Sequence, residues 1–347
     1  MNVLVIYYKQ NPINYNKLLI IETLKMNLKL LNQNNISIQF IEFDDVNRLI
    51  DELELSKYKN YIFWLHQKIG SYIVTLPDKL DLIKKYNIKT IFWIDDLHYP
   101  TVNTTNEERL HKELVDKDER YKNVDLIVSP SLDYFENIES TLIPKSKFLF
   151  YFFDKQLIDK FYPSNYQERI SKILLTGKIN LLSYPSRKQM YTNYFYNKNL
   201  YDWIDHPGYK NYKHDIYHKN YYNKLSEYKG AILGLAKYPV NFLLAKVVEI
   251  LGCGCLGFFE ESSLYEERLG LKEYVHYIPV EIINNDDIEV PYTKENFFYL
   301  NIDNIKFEDY LNSDKGREIA INGYNYIKEK LTSDNFMNEI ISIIKNI

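Results

Sequence analysis

Cysteine is nearly missing from this chain: there are two in 347 residues. A disulfide framework is thereby excluded as the source of stability, and reduced, half-buried thiols of a cytosolic protein are expected. The pair Cys253-Gly254-Cys255 offers two ligands where a structural zinc takes about four, and the one histidine nearby is His276. No window reaches the roughly 18 apolar residues that span a bilayer. The opening "MNVLVIYYKQNP" has no basic leader and no small-residue cleavage site, so it reads as a first strand and not as a signal peptide. No low-complexity linker interrupts the chain. Net charge is only -4, so no global field draws it to nucleic acid or to an anionic membrane.

What is present is ordinary globular composition, with 46% hydrophobic and 26% charged residues. Tyrosine is the exception at 33, alongside many Asn, Ile and Lys. That mixture reflects AT-rich coding, as in a low-GC bacterium or a large DNA virus. A single core seldom grows beyond about 250–300 residues, so two domains are expected.

Apolar runs at 2–8, 36–43, 61–66, 89–95 and 124–130 alternate with helical patterns at 17–33, 44–55, 77–87 and 105–117. Near-continuous apolar strands separated by helices mean a parallel sheet covered on both faces. A second series follows: "KILLTG" (172–177), "LYDWID" (200–205), "YKGAILGL" (228–235), "CLGFFE" (255–260) and "VHYIPV" (275–280). The expected architecture is α/β, with two doubly wound domains facing a central cleft. Their expected bounds are 1–155 and 160–315, with a hinge in 156–170. One closing helix, about 314–347, should cross back onto the first domain, which assigns it 316–347. Ligands of such folds bind beyond the carboxyl ends of the strands, which directs attention to loops after strands.

Three such places carry chemistry. After "KILLTG", Gly177 permits close backbone approach, and Arg187 and Lys188 supply positive charge beside a loop suited to an anion. A solvated basic helix start is the competing reading. In "KVVEILGCGC" (246–255), Lys246 and Glu249 share a helix face. Asn241 reads as the N-cap of that helix, and its free amides favour a phosphate. Turned to the cleft, Lys246 meets phosphate charge and Glu249 accepts two hydrogen bonds from a ribose diol. Turned outward, the two form a solvated pair worth a few tenths of a kcal/mol. In "FWIDDLHYP" (92–100), Asp95, Asp96 and His98 follow a strand and are candidates for a general base or for holding hydroxyls; capping the next loop is their bland alternative. The segment 206–224, rich in His, Lys and Tyr, reads first as a surface loop. His206 and Tyr209, directly after a strand, are its candidates for contact with a base.

The block "KVVEILGCGCLGFF" (246–259) resembles the signature of group 1 glycosyltransferases of the GT-B fold, CgeB-like members included. There a Glu-bearing helix ends in a small-Cys-Gly turn before an apolar strand. "SLYEERLGL" (263–271), "YVHYIPV" (274–280), "LLTGKINLLSYPSRKQM" (174–190) and "DLIVSPSLDYF" (125–135) continue the likeness. The resemblance implies two Rossmann-like domains, acceptor-binding and then donor-binding, and transfer of a sugar from a UDP- or GDP-type donor to a hydroxyl. Glu249 matches the family's ribose-binding Glu. Lys246, with Arg187 or Lys188, would clamp the diphosphate. Many retaining members carry another Glu eight residues earlier; Asn241 stands there, so the resemblance leaves retaining and inverting transfer both open. Fixed cations matched to the departing diphosphate lower the barrier, which implies no required metal or other cofactor. Reading Asp95 and Asp96 as the metal ligands of the GT-A class leaves 246–259 unexplained. The implied partners are a nucleotide sugar and a glycan, glycolipid or protein acceptor. No nucleic acid is expected, because the first half shows no basic run. The expected location is the cytoplasm, or the host cytoplasm if viral. A sugar-nucleotide epimerase, a phosphorylase and a non-catalytic nucleotide-sugar binder remain as alternatives on the same fold.

Overall fold

The computed structural model describes residues 1–8, 15–43, 53–66, 77–94, 121–132, 136, 142–177, 185–204, 219–235, 242–281 and 307–347. They fall into two compact units, one of Met1–Tyr151 with Asp334–Ile347 and one of Phe152–Ser333.

The first unit contains β1 (Asn2–Tyr8), α1 (Tyr15–Met26), α2 (Leu28–Gln33), β2 (Ser37–Phe43), β3 (Ile62–His66), α3 (Pro77–Lys85), β4 (Lys89–Trp93), β5 (Leu126–Ser129) and β6 (Ser146–Phe148). All six strands are parallel, in the order β2-β1-β3-β4-β5-β6. Residues Val3 to Ile6 are fully buried. The inner strands β1, β3 and β4 are buried along most of their length, which is why they read as unbroken apolar runs, whereas the edge strand β2 is partly exposed. Trp64 stacks on Trp93 with ring centroids 6.4 Å apart, and Phe336 meets Trp93 edge-on.

The second unit contains α4 (Lys155–Ile158), β7 (Ile170–Thr176), α5 (Pro185–Tyr196), β8 (Tyr201–Ile204), α6 (Lys219–Ser226), β9 (Tyr228–Leu233), α7 (Lys246–Gly252), β10 (Leu256–Glu260), α8 (Leu264–Leu269), β11 (Ile278–Val280), α9 (Phe307–Asn312) and α10 (Asp314–Lys330). Its sheet is again all parallel, ordered β11-β10-β9-β7-β8. The chain moves from β7 to β8 on one side and then to β9 on the other. A crevice therefore opens at the carboxyl ends of β7 and β9, the topological switch point where doubly wound sheets bind ligands. Both units are thus doubly wound α/β sheets.

Three local readings change. The helical stretch 17–33 is two helices, broken where Asn27 leaves helical geometry and its side-chain amide donates to the Thr23 carbonyl at 2.8 Å. The stretch 314–347, read as one helix, is also two, α10 and α11 (Ser333–Asn346). The Phe153 amide donates to Leu331 O at 2.8 Å and the Ser333 amide to Phe153 O at 3.0 Å, so an extended backbone staples the break. Ser313 caps α10 by accepting from the Gly316 amide at 3.0 Å, while α11 is counted with the first unit. The third change is β6, which sequence reading passed over because it has only three residues.

Candidate functional site at the β7–β9 switch point

β7 ends on Thr176, and Gly177 follows with φ +116, a conformation that favours glycine. Space also demands glycine here: a Cβ would lie 2.8 Å from Nη1 of Arg187. Arg187 stands in the first turn of α5, so its guanidinium is laid against the exit of β7. Thr176, Gly177 and Arg187, with Tyr191, Trp203 and Gly234, line a small open pocket.

Lys246 and Glu249 come to the same neighbourhood from α7. They do not face bulk solvent: Lys246 is 5% exposed and Glu249 8%. Lys246 Nζ donates to Glu249 Oε2 at 2.6 Å and to the Tyr221 hydroxyl at 2.5 Å. The same ammonium sits 4.2 Å from the Tyr221 ring centre, a cation–π distance. Burial draws the Lys246 pKa below the usual lysine value, Glu249 opposes this, and the positive charge of Arg187 adds to the lowering. Burial also pushes the Tyr221 pKa well up, so its phenol stays protonated. The Tyr221 oxygen lies 3.0 Å from Thr176 Oγ1. One buried network thus joins α7, α6 and the end of β7.

Two further charges support this edge. Glu260, last residue of β10 and 3% exposed, accepts from the Leu235 amide at 2.8 Å. That bond ties together the carboxyl ends of β9 and β10. Arg169, 7% exposed, donates to Cys253 O at 3.1 Å, Gly254 O at 2.9 Å and Phe161 O at 3.4 Å. It therefore holds the turn that ends α7, where Gly254 has φ +67.

Of the sequence candidates, the fold brings together Gly177, Arg187, Lys246 and Glu249. Lys188 lies in α5, its side chain outside the described residues. Asp95, Asp96, His98, His206, Tyr209 and Asn241 also lie outside them. The helix expected to start at Asn241 begins at Lys246, preceded by Ala245 with no side-chain cap. Phe242 and Leu243 are buried in the approach to it, and their packing outweighs the cap signal. The amide row imagined for a phosphate at Asn241 is therefore displaced, and it opens a helix of only seven residues. Cys253 and Cys255 are not half-buried but fully enclosed; burial pushes the Cys255 thiol up to about 11 and raises Cys253 well above the usual thiol value.

Thr176, Tyr221, Glu260 and Arg169 escaped the sequence reading. For Tyr221 a signal existed: Tyr221, Tyr222 and Leu225 have helical spacing, and all three are buried. The segment 206–224, read as a surface loop, contains the start of α6 from Lys219.

No family model matches the chain, and no curated protein matches it. Solved structures do. An α-glucosyltransferase in complex with UDP-glucose and DNA containing an abasic site is 11% identical over 100% of both chains, with a TM-score of 0.60. An α-glucosyltransferase in complex with UDP and a 13-mer DNA is 12% identical over 100% of this chain and 99% of that one, TM-score 0.57. A DNA-modifying β-glucosyltransferase, solved with and without uridine diphosphoglucose, is 13% identical over 99% and 98%, TM-score 0.51. At such identities the likeness establishes a shared fold, and the fold is that of GT-B glycosyltransferases. The CgeB-like assignment gains no support from a family model. The expectation that nucleic acid plays no part is overturned, because proteins of this fold and length are seen on DNA. Net charge and the lack of a basic run were poor guides, since a fold can gather scattered cations on one face. No helix among the described residues is long and apolar enough to cross a membrane.

Proposed function

We propose that the chain is a glycosyltransferase that takes a sugar from a nucleoside-diphosphate donor, UDP-hexose foremost, and passes it to a hydroxyl acceptor. The observation that carries this reading is the buried Lys246–Glu249 pair beside Arg187 and Gly177 at the switch point of the second sheet. Two charges removed from water cost several kcal/mol each unless well partnered, and a solvated surface pair would carry no such cost. In the donor-bound state Glu249 accepts from the ribose diol, while Lys246 and Arg187 face the diphosphate. Positive charge held in place matches the negative charge that grows on the departing diphosphate, which lowers the barrier without rearrangement at the moment of reaction. The acceptor proton goes to one of Asp95, Asp96 and His98, and the reaction needs no divalent metal.

For the acceptor, a hydroxyl on a modified nucleic-acid base is the reading favoured by the DNA-bound structures of the same fold. Thermal unfolding in the presence of UDP-, GDP-, ADP- and TDP-sugars, with and without EDTA, tests the donor. A donor at a hundred times its dissociation constant raises stability by about 2.7 kcal/mol, and EDTA leaves that gain unchanged. Absence of a shift with every sugar nucleotide refutes the reading. Transfer to hydroxymethylated DNA against a panel of glycans then decides the acceptor.

A further inference from the structure

We propose that Thr176 is a ligand-contacting hydrogen-bond donor at the switch point and that Tyr221 is the positioning residue that aims it. The proposal rests on the donor-site reading above and adds two residues to it.

The argument is one of hydrogen-bond polarity. An ammonium has protons to give and no lone pair. At its 2.5 Å contact with Lys246, the Tyr221 oxygen is therefore an acceptor. The phenol keeps its own proton, and Thr176 Oγ1 lies 3.0 Å away in a contact where either oxygen can donate; in the proposed relay the phenol is the donor. A threonine hydroxyl that accepts from one side turns its proton to another, and Thr176 lines the open pocket beside Gly177 and Arg187. With the phenol as donor to Thr176, the polarity runs from the buried cation through the phenol and the threonine into the pocket. The atom it meets there is an acceptor, a phosphate or sugar oxygen. The ring of Tyr221 also carries the cation–π contact with Lys246, so Tyr221→Phe removes the hydroxyl and keeps both that contact and the packing.

The test is calorimetric titration of UDP into the wild-type chain and into Thr176→Val, Thr176→Ser, Tyr221→Phe and the Tyr221→Phe/Thr176→Val pair. Each protein is first shown to unfold in a single transition. Loss of one hydrogen bond to a charged ligand weakens Thr176→Val about tenfold, and Thr176→Ser restores the affinity. Tyr221→Phe weakens UDP severalfold, and on its background Thr176→Val costs less than in the wild type, because the threonine proton is no longer aimed. Two independent effects, or a Thr176→Val chain that holds UDP as tightly as wild type, overturn the proposal and leave the donor site standing. A wild-type chain that takes up no UDP overturns the donor reading and the ligand role of Thr176 together. Coupling of the two hydroxyls in unfolding, measured on the same proteins, then decides whether the relay itself exists.

Discussion

In the first unit the buried polar side chains among the described residues are Thr23, Thr90, Ser129 and Ser131; in the second they include Arg169, Lys229, Lys246, Glu249 and Glu260. The two sheets share parallel strands and a doubled winding, so topology does not explain the difference. Each of the five buried charges has a protein partner: carbonyls for Arg169, Asn312 for Lys229, each other for Lys246 and Glu249, and a backbone amide for Glu260. A core gains little stability from such groups, since apolar residues of equal volume often do as well or better. Lys246, Glu249 and Glu260 sit by the carboxyl ends of strands, and Arg169 holds the turn behind α7. The comparison teaches that the shared fold supplies the crevice, and that among the described residues buried charge is confined to the second unit.

The largest expected effect comes from splitting the pair. Lys246→Met leaves a buried carboxylate without its cation and should lower stability by about 3–5 kcal/mol in urea unfolding. The Lys246→Met/Glu249→Leu double variant should recover most of that loss. In the first unit Thr90→Val removes the hydroxyl's bond to the Asp125 carboxylate and the bond it accepts from the Asp125 amide and should cost about 1–2 kcal/mol. A cost equal to that of Lys246→Met would erase the contrast. Next, Arg169→Met deprives the Cys253 and Gly254 carbonyls of their donor, with an expected loss of about 1–3 kcal/mol and weaker UDP binding as the end of α7 loosens. Gly177→Ala strains a backbone at φ +116 and presses on Arg187. It should cost about 1 kcal/mol of stability and a larger share of donor affinity, read by titration.

The smallest and most diffuse effect is alkaline. Burial raises Tyr228 and Tyr324 to about 12 from 10.0. A raised tyrosine pKa means the folded state holds more protons than the unfolded state between those values. Its stabilising contribution is complete below 10.0 and disappears as the pH climbs through about 12. Lys246 has the opposite sign. Its pKa is lowered from 10.5, so the unfolded state binds more protons between the two values and stability rises with pH there. Unfolding of wild type and Lys246→Met across this range should show that the variant has lost the rising component alone.

The strands were legible because parallel sheets buried on both faces need unbroken apolar runs, and "NVLVIYY" or "CLGFFE" admits few other readings. The charged face of α7 was legible from two residues three apart. Its start was not, because burial of Phe242 and Leu243 overrides the cap signal of Asn241. The partners of that face were hidden for a different reason. Tyr221 reaches Lys246 across 25 positions and Thr176 across 45, and Arg169 reaches Cys253 across 84. Local patterns carry no information about such pairings. In the first sheet the corresponding crevice lies between β1 and β3, and the chain leaving both strands, at 9–14 and 67–76, falls outside the described residues.

Titration of UDP-glucose into the wild-type chain and into folded Lys246→Met/Glu249→Leu tests the central claim most directly. Saturable binding by the wild type, and its loss in a double variant of near-normal stability, is the result expected of a donor site built on that pair. Equal affinity of the two proteins, or a wild type that binds none of the UDP-, GDP-, ADP- and TDP-sugars, would contradict it.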